Sequence, residues 1–243
     1  MATRGRDWTE GEIAQAIALY LRTSFGRLHS RNPDIMELAV RLDRTPGSVA
    51  MKMANLASID ETLDRKGLSH ATQRDRQAWK NFFELISRQA SALPPVETPV
   101  SLNLTAAELD QAEYTANSKY GSNILSVRSV RQGQALFRDM VLTSYDRTCA
   151  ITGIRNEDLL IAGHIRSWAV DAENRMNPRN GICLNRLHDR AFEIGLIGIG
   201  DDNRILYSKR ISESDKAKLE ALNDDGIFTP PKRFAPDPEF LRV

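Results

Sequence analysis

Residues 159–169, LLIAGHIRSWA, and residues 177–199, NPRNGICLNRLHDRAFEIGLIGI, decide how this 243-residue chain is read. Together they predict strand, loop, strand and helix. His164 falls on the first strand, Asn180 at the entrance to the second, and His188, Asp189 and Glu193 on the helix. Hydrolysing a phosphodiester needs a base for water, an electrophile for the phosphate charge, and stabilisation of the departing oxygen. One imidazole and one divalent cation meet all three demands.

His164 follows the apolar run from Leu159 to Ala162, a strand that would fix its ring, and a neutral imidazole is available near pH 7. It is therefore the candidate general base. Asp189 and Glu193, four residues apart on a helix, project from one face as hard oxygen ligands for a single Mg²⁺ or Mn²⁺ should. His188 is a third candidate ligand, although it sits about 100° round the helix from Asp189. Asn180, just before Gly181, can bridge backbone groups of the loop and tie the base to the metal-bearing helix. Arg166, Arg179, Arg186 and Arg190 surround the site in sequence and are candidate phosphate clamps.

Upstream, RQGQALFRDMVLTSY (131–145) has Leu136, Met140 and Val141 on one helical face and leads to Cys149. Downstream, Asp201 and Asp202 mark a turn, residues 205–208 a strand, and 212–223 a charged surface helix. The proline-rich end, FTPPKRFAPDPEF, reads as an extended tail.

The N-terminal part has a different pattern. Thr9 and Glu12 have capping-box spacing, and Ile13, Ala16, Ile17, Tyr20 and Leu21 then share one helical face. Ile35, Leu38, Ala39 and Leu42 form a second stripe, RTPGS interrupts it, and Val49, Met53 and Leu56 form a third. Helix, turn, helix is the expectation, with Pro46 and Gly47 at the turn and Ser48 as cap. Arg44, Ser48, Lys52 and Asn55 are the candidate DNA contacts of this unit. The aromatics of WKNFFELI (79–86) read as core, and His29 and His70 as ordinary histidines. Pro94, Pro95 and Pro99 open a linker, within which residues 105–114 read equally as spacer helix or strap. The expected organisation is a DNA-binding domain over 1–93, a linker over 94–125, and a catalytic domain with its tail over 126–243.

Basic and acidic residues, 33 against 32, leave almost no net charge, so any attraction to phosphate must be local. No segment reaches the roughly 18 consecutive apolar residues of a spanning helix. The two cysteines, Cys149 and Cys183, are too few for a disulfide framework, and a reducing cytoplasm is the expected home.

At RQGQALFRDMVLTSYDRTCAITG, LLIAGHIRSWA and NPRNGICLNRLHDRAFEIGLIGI the chain resembles the HNH family of ββα-metal nucleases, in its restriction-type branch. By position, the resemblance makes His164 the general base, Asn180 the middle asparagine, Asp189 the final metal-ligand position and Glu193 a further ligand. Two departures stand out. Gly163 occupies a place where many members carry a metal-binding acid or histidine. Paired CxxC motifs are replaced by Cys149-Ala-Ile-Thr152 and Asn185-Arg-Leu-His188, so no structural zinc is expected. WTEGEIAQAIALYL and ELAVRLDRTPGSVAMKMANLASID resemble the helix-turn-helix module that accompanies such nucleases.

The expected fold class is α+β: an all-α helix-turn-helix or winged-helix-like domain followed by a ββα-metal nuclease domain. The expected activity is a single-cation DNA endonuclease giving 5′ phosphates, acting on foreign or base-modified double-stranded DNA. A double-strand break needs two sites on opposite strands, so a homodimer is expected. A DNA-binding regulator with a vestigial nuclease half, and a nuclease on RNA or structured DNA, are the alternatives.

Overall fold

The computed structural model describes residues 6–63, 70–92, 121–223 and 225–241, and of residues 121–132 the backbone only. Helix α1 (Glu10–Leu21) starts at the capping box: the Thr9 hydroxyl accepts the Glu12 amide at 3.3 Å and Glu12 Oε2 accepts the Thr9 amide at 2.9 Å. Its apolar face, Ile13, Ala16, Ile17, Tyr20 and Leu21, is buried as the spacing requires. Asn32 caps α2 (Pro33–Arg41).

The break before α3 (Pro46–Leu56) differs in detail from the sequence expectation. Thr45, not Ser48, is the cap, its hydroxyl accepting the Ser48 amide at 3.2 Å. Pro46 and Gly47 are already helical, since a first-turn proline has no amide to leave unpaired. The chain turns earlier, at Asp43, whose φ of 49° a short polar side chain tolerates. Helix α4 (Gln73–Ser91) begins at a second capping box, Thr72 with Asp75, and extends well beyond the WKNFFELI segment. Trp79 packs 5.7 Å from Tyr20 and 5.4 Å from Phe83, so these rings are core, as read. Among the described residues before Leu160 there is no strand.

Helix α5 (Gly121–Ser144) begins inside the span assigned to the linker; residues 93–120, with the 105–114 segment, lie outside the described residues. Strands β1 (Leu160–His164) and β2 (Gly181–Asn185) pair antiparallel, with Gly163 opposite Ile182 and His164 opposite Gly181. Helix α6 (Arg186–Glu193) leaves β2 directly, because Asn185 Oδ1 caps it by accepting the Leu187 and His188 amides at 3.0 Å each. A second hairpin, β3 (Ile197–Ile199) with β4 (Ile205–Tyr207), and helix α7 (Glu213–Glu220) follow. The tail is irregular until α8 (Pro238–Leu241), which Asp237 starts by accepting the Glu239 amide at 3.1 Å. Helices first and a ββα unit with short antiparallel strands after them make the chain α+β.

Gly181 lets α5 lie against this unit: a Cβ there would overlap Val141 and stand 2.9 Å from Phe137 Cζ. The helical half and the ββα half share one continuous apolar cluster. They are also tied by a buried ion pair, Arg233 Nε to Asp60 Oδ2 at 2.8 Å, and Tyr20 donates to the same oxygen at 2.9 Å.

Candidate active site

His164 ends β1 with its ring stacked on Phe137 of α5, 3.9 Å between centroids and 5° between planes, and with the edge of Trp168 at 5.6 Å. Its Nε2 lies 3.0 Å from the Arg175 carbonyl oxygen. A carbonyl only accepts, so Nε2 carries the proton and Nδ1 of the neutral ring keeps its lone pair. Burial lowers the His164 pKa, and the charge of Arg175 adds to this against the opposing pull of the carbonyl. The ring is therefore held as a neutral base with one defined basic nitrogen.

The carbonyl that fixes it belongs to a tethered loop. Arg175, 2% exposed, donates from Nε to the Trp168 carbonyl at 2.7 Å and from Nη1 to the Ala90 carbonyl of α4 at 2.8 Å. Ser87 and Ser91 of α4 donate to the Glu173 and Ala172 carbonyls at 3.1 and 2.9 Å. Asn180 braces the other side: it is fully buried, accepts the Arg166 amide at 2.8 Å, and donates to the Arg166 and Asn174 carbonyls at 3.1 Å each. Its role is to position the loop.

Asp189 accounts for Gly163. A Cβ on Gly163 would overlap Asp189 Oδ1, so the carboxylate fills the volume a side chain would need. This carboxylate is partly buried and, among the described residues, accepts no hydrogen bond. Burial and the nearby Glu193 charge push its pKa up to about 6, against the partial relief of Arg186 and Arg190. An ionised carboxylate in that setting is under-compensated, and a hard cation fits its free oxygens.

The other candidate ligands lie elsewhere. His188 is 1% exposed and turned inward, its Nδ1 3.0 Å from Asn185 Nδ2. Asn185 also donates from its amide to Cys149 Sγ at 3.2 Å and from Nδ2 to Thr152 Oγ1 at 3.2 Å. Cys149, Thr152, Asn185 and His188 thus form one hydrogen-bonded group, which is why His188 is not free to meet Asp189. Glu193 is exposed and paired with Arg190 at 2.8 Å. Among the described residues no three His, Cys, Asp or Glu side chains converge as a complete metal cage, so the remaining positions around a cation at Asp189 would belong to water and substrate oxygens.

Two of the expected DNA contacts are corrected. Arg44 is 6% exposed and bonded to Glu12 at 3.0 Å; Lys52 is 8% exposed and bonded to Asp75 at 2.7 Å. The capping-box carboxylates of α1 and α4 draw both cations inward, where they flank the Trp8 ring at 4.1 and 5.1 Å. The Arg44 hydrogen bond lowers the Glu12 pKa to about 2. Ser48 and Asn55 remain partly accessible on α3.

Near the catalytic loop, Arg186 and Arg190 are exposed, whereas Arg166 and Arg179 are engaged by the tail. Arg166 donates to the Glu239 carbonyl at 3.0 Å and lies over Phe240, and Arg179 pairs with Asp237 at 3.2 Å. Sequence reasoning missed Arg175, Trp168 and the docked tail. Phe137, three residues before Met140, was discoverable from the α5 stripe.

A hairpin that presents a carbonyl-bound histidine is joined to a helix that returns a carboxylate to the same strand, a ββα arrangement. The family model described as HNH endonuclease matches residues 149–200, which span β1 through β3. That segment is similar to HNH endonuclease domains, a similarity that points to nuclease chemistry on a nucleic acid; HNH nucleases generally use a divalent metal ion. No curated protein matches the chain.

Proposed function

We propose that the protein is an endonuclease that cuts double-stranded DNA with one divalent cation, Mg²⁺ or Mn²⁺, restricting foreign or base-modified DNA in the cytoplasm. The observation that carries this reading is the His164 ring, locked through Nε2 to the Arg175 carbonyl, on the strand whose preceding residue is covered by the unpartnered Asp189 carboxylate. In the reaction, His164 Nδ1 takes a proton from water, the water oxygen bonds to phosphorus, and the bond to the 3′ oxygen breaks. The departing 3′ oxygen takes a proton from solvent, so one product keeps a 5′ phosphate and the other a 3′ hydroxyl. Asp189 would hold the cation, with Glu193 as an electrostatic neighbour, and the cation would neutralise phosphate charge and stabilise the departing oxygen.

Arg186 and Arg190 are exposed and can meet phosphate, Arg190 by giving up its ion pair with Glu193, and Arg166 and Arg179 can do so by exchanging the tail for DNA. On α3, Ser48 and Asn55 are the remaining candidates for reading DNA. Two copies acting on opposite strands would give a double-strand break, hence a homodimer on DNA. Among the described residues no helix is long and apolar enough to cross a membrane.

The test is cleavage of matched plasmids, unmodified, methylated or hydroxymethylated at cytosine, and methylated at adenine, with either cation. Cutting confined to one modified plasmid supports modification-dependent restriction. Uniform cutting removes that part of the reading. DNA binding without any cutting favours a regulator with a vestigial site.

A further inference from the structure

A cleft lies where α1 runs out against the end of α5, and the proposed chemistry does not use it. It has two adjoining chambers that share Thr23, Ser24, Thr143 and Asp146. The larger, about 470 Å³, is walled by Tyr20, Phe25, Tyr145, Ile151, Pro230 and Pro231 among others. The smaller, about 220 Å³, is bordered by Arg22, Arg27 and Arg147, with Asp34 and Asp146 as its acidic members. Volumes of a few hundred Å³ between packed structural units are where small ligands bind.

Three features give the cleft a chemistry. Phe25 leaves 37% of its surface exposed at the rim of the larger chamber, an aromatic face in a position to stack. The wall of the larger chamber is otherwise mostly apolar, with Tyr20, Ile151, Pro230 and Pro231 beside Thr23, Thr148 and Thr229 as polar members. At the small chamber, Arg147 is paired with Glu157, whereas Arg22 and Arg27 have no ion-pair partner among the described residues, and the Ser24 hydroxyl makes no cap bond to the short helix it precedes.

We infer that this cleft binds one nucleotide, its base in the larger chamber against Phe25 and its phosphate in the smaller one between Arg22 and Arg27. An aromatic, mostly apolar chamber with a few polar atoms in its wall suits a base. Two free guanidinium groups beside a hydroxyl suit a phosphate. The nucleotide is either free or swung out of a DNA strand, and the two sources share this chemistry. The cleft lies away from the catalytic end of the hairpin: Cys149 in its wall contacts Asn185, at the opposite end of β2 from Gly181, the partner of His164. Four residue steps of strand separate those ends by about 13 Å. The occupant is therefore not the nucleotide being cut.

The experiment uses the full chain with EDTA present, so that binding is read without cleavage. In one arm, equilibrium dialysis measures deoxynucleoside monophosphates, the matching nucleosides and inorganic phosphate. In the other, duplexes carrying 2-aminopurine at successive positions report an extruded base by a rise in fluorescence. Phe25→Ala and Arg27→Ala change exposed residues, and thermal melts check that each variant stays folded. A free-nucleotide site binds a monophosphate at least tenfold more tightly than the nucleoside or phosphate alone, and each variant weakens it at least tenfold. An extruded-base site shows no such affinity but gives a fluorescence rise that both variants abolish. Either pattern supports the inference. Silence in both arms, or signals that both folded variants retain, overturns it, whether or not the protein cuts DNA.

Discussion

Replacing Asp189 by Asn keeps the shape of the side chain and removes its charge. Holding this carboxyl at about 6 instead of 3.8 makes the ionised form about 3 kcal/mol less favourable in the folded chain, at 1.36 kcal/mol per pH unit. The folded state binds that proton more tightly than the unfolded chain does, so stability falls as pH rises from about 4 to about 6, and the full penalty is present above that window. Asparagine does not titrate. In EDTA, urea denaturation at pH 8 should find Asp189→Asn more stable than the parent by about 2–3 kcal/mol, and at pH 4 the two should converge. Added Mg²⁺ or Mn²⁺ should stabilise the parent by mass action and leave the variant unmoved, and cleavage should be lost. A variant no more stable than the parent at pH 8, or a gain that grows towards low pH, would refute the argument that this carboxylate is held uncompensated for a cation.

Further expectations concern its neighbours. Gly163→Ala forces the Asp189 carboxylate aside, since the new methyl overlaps Oδ1; it should cost about 1–3 kcal/mol of stability and remove metal-linked stabilisation, both read in the same urea series. Cleavage at saturating metal should keep its acid limb below pH 6.5, because burial lowers His164; at limiting metal the limb should move up as Asp189 takes a proton near pH 6, and a limb insensitive to metal would contradict the assignment. Lys52→Met strands the fully buried Asp75 and should destabilise by about 3–5 kcal/mol, partly restored by adding Asp75→Asn; loss of DNA affinity at unchanged stability would instead restore Lys52 as a phosphate contact. Asp237→Asn removes the ion pair of Arg179 with the tail but not its bond to the Ala235 carbonyl, and should raise DNA affinity about twofold at low salt and hardly at all at high salt, measured by fluorescence anisotropy.

Local rules made much of this molecule legible. The Thr9–Glu12 capping box, the apolar face of α1 and the strand-to-helix passage from β2 into α6 are set within a few residues and were read correctly from spacing. The α2–α3 turn was misplaced by a few residues because Pro46 fits a helix start as well as a turn, and only the Thr45 hydroxyl decides between them. Arg44 and Lys52 were misread for a different reason. A basic residue on a polar face looks solvated until its carboxylate partner is known, and those partners, Glu12 and Asp75, lie 32 and 23 residues away.

The candidate site divides in the same way. The places of His164, Asn180 and Asp189 on strand, loop end and helix were legible because those elements follow in order within a short span. Their supports were not. Arg175 acts through its carbonyl and a bond to α4, 85 residues distant, and no pattern in ENRMNP announces it. The place of the Asp189 carboxylate over Gly163 depends on how α6 returns across the hairpin, so that the missing side chain at Gly163 leaves room for this carboxylate.

Whether His164 is the base of a metal-dependent nuclease is tested most directly by DNA cleavage by the parent and by His164→Ala, with Mg²⁺ or Mn²⁺, beside DNA binding in EDTA. If His164 is the base, the parent cuts to leave 5′ phosphate ends, the variant cuts at least a thousandfold less, and DNA affinity is unchanged. A variant that cuts at the parent's rate would contradict that assignment.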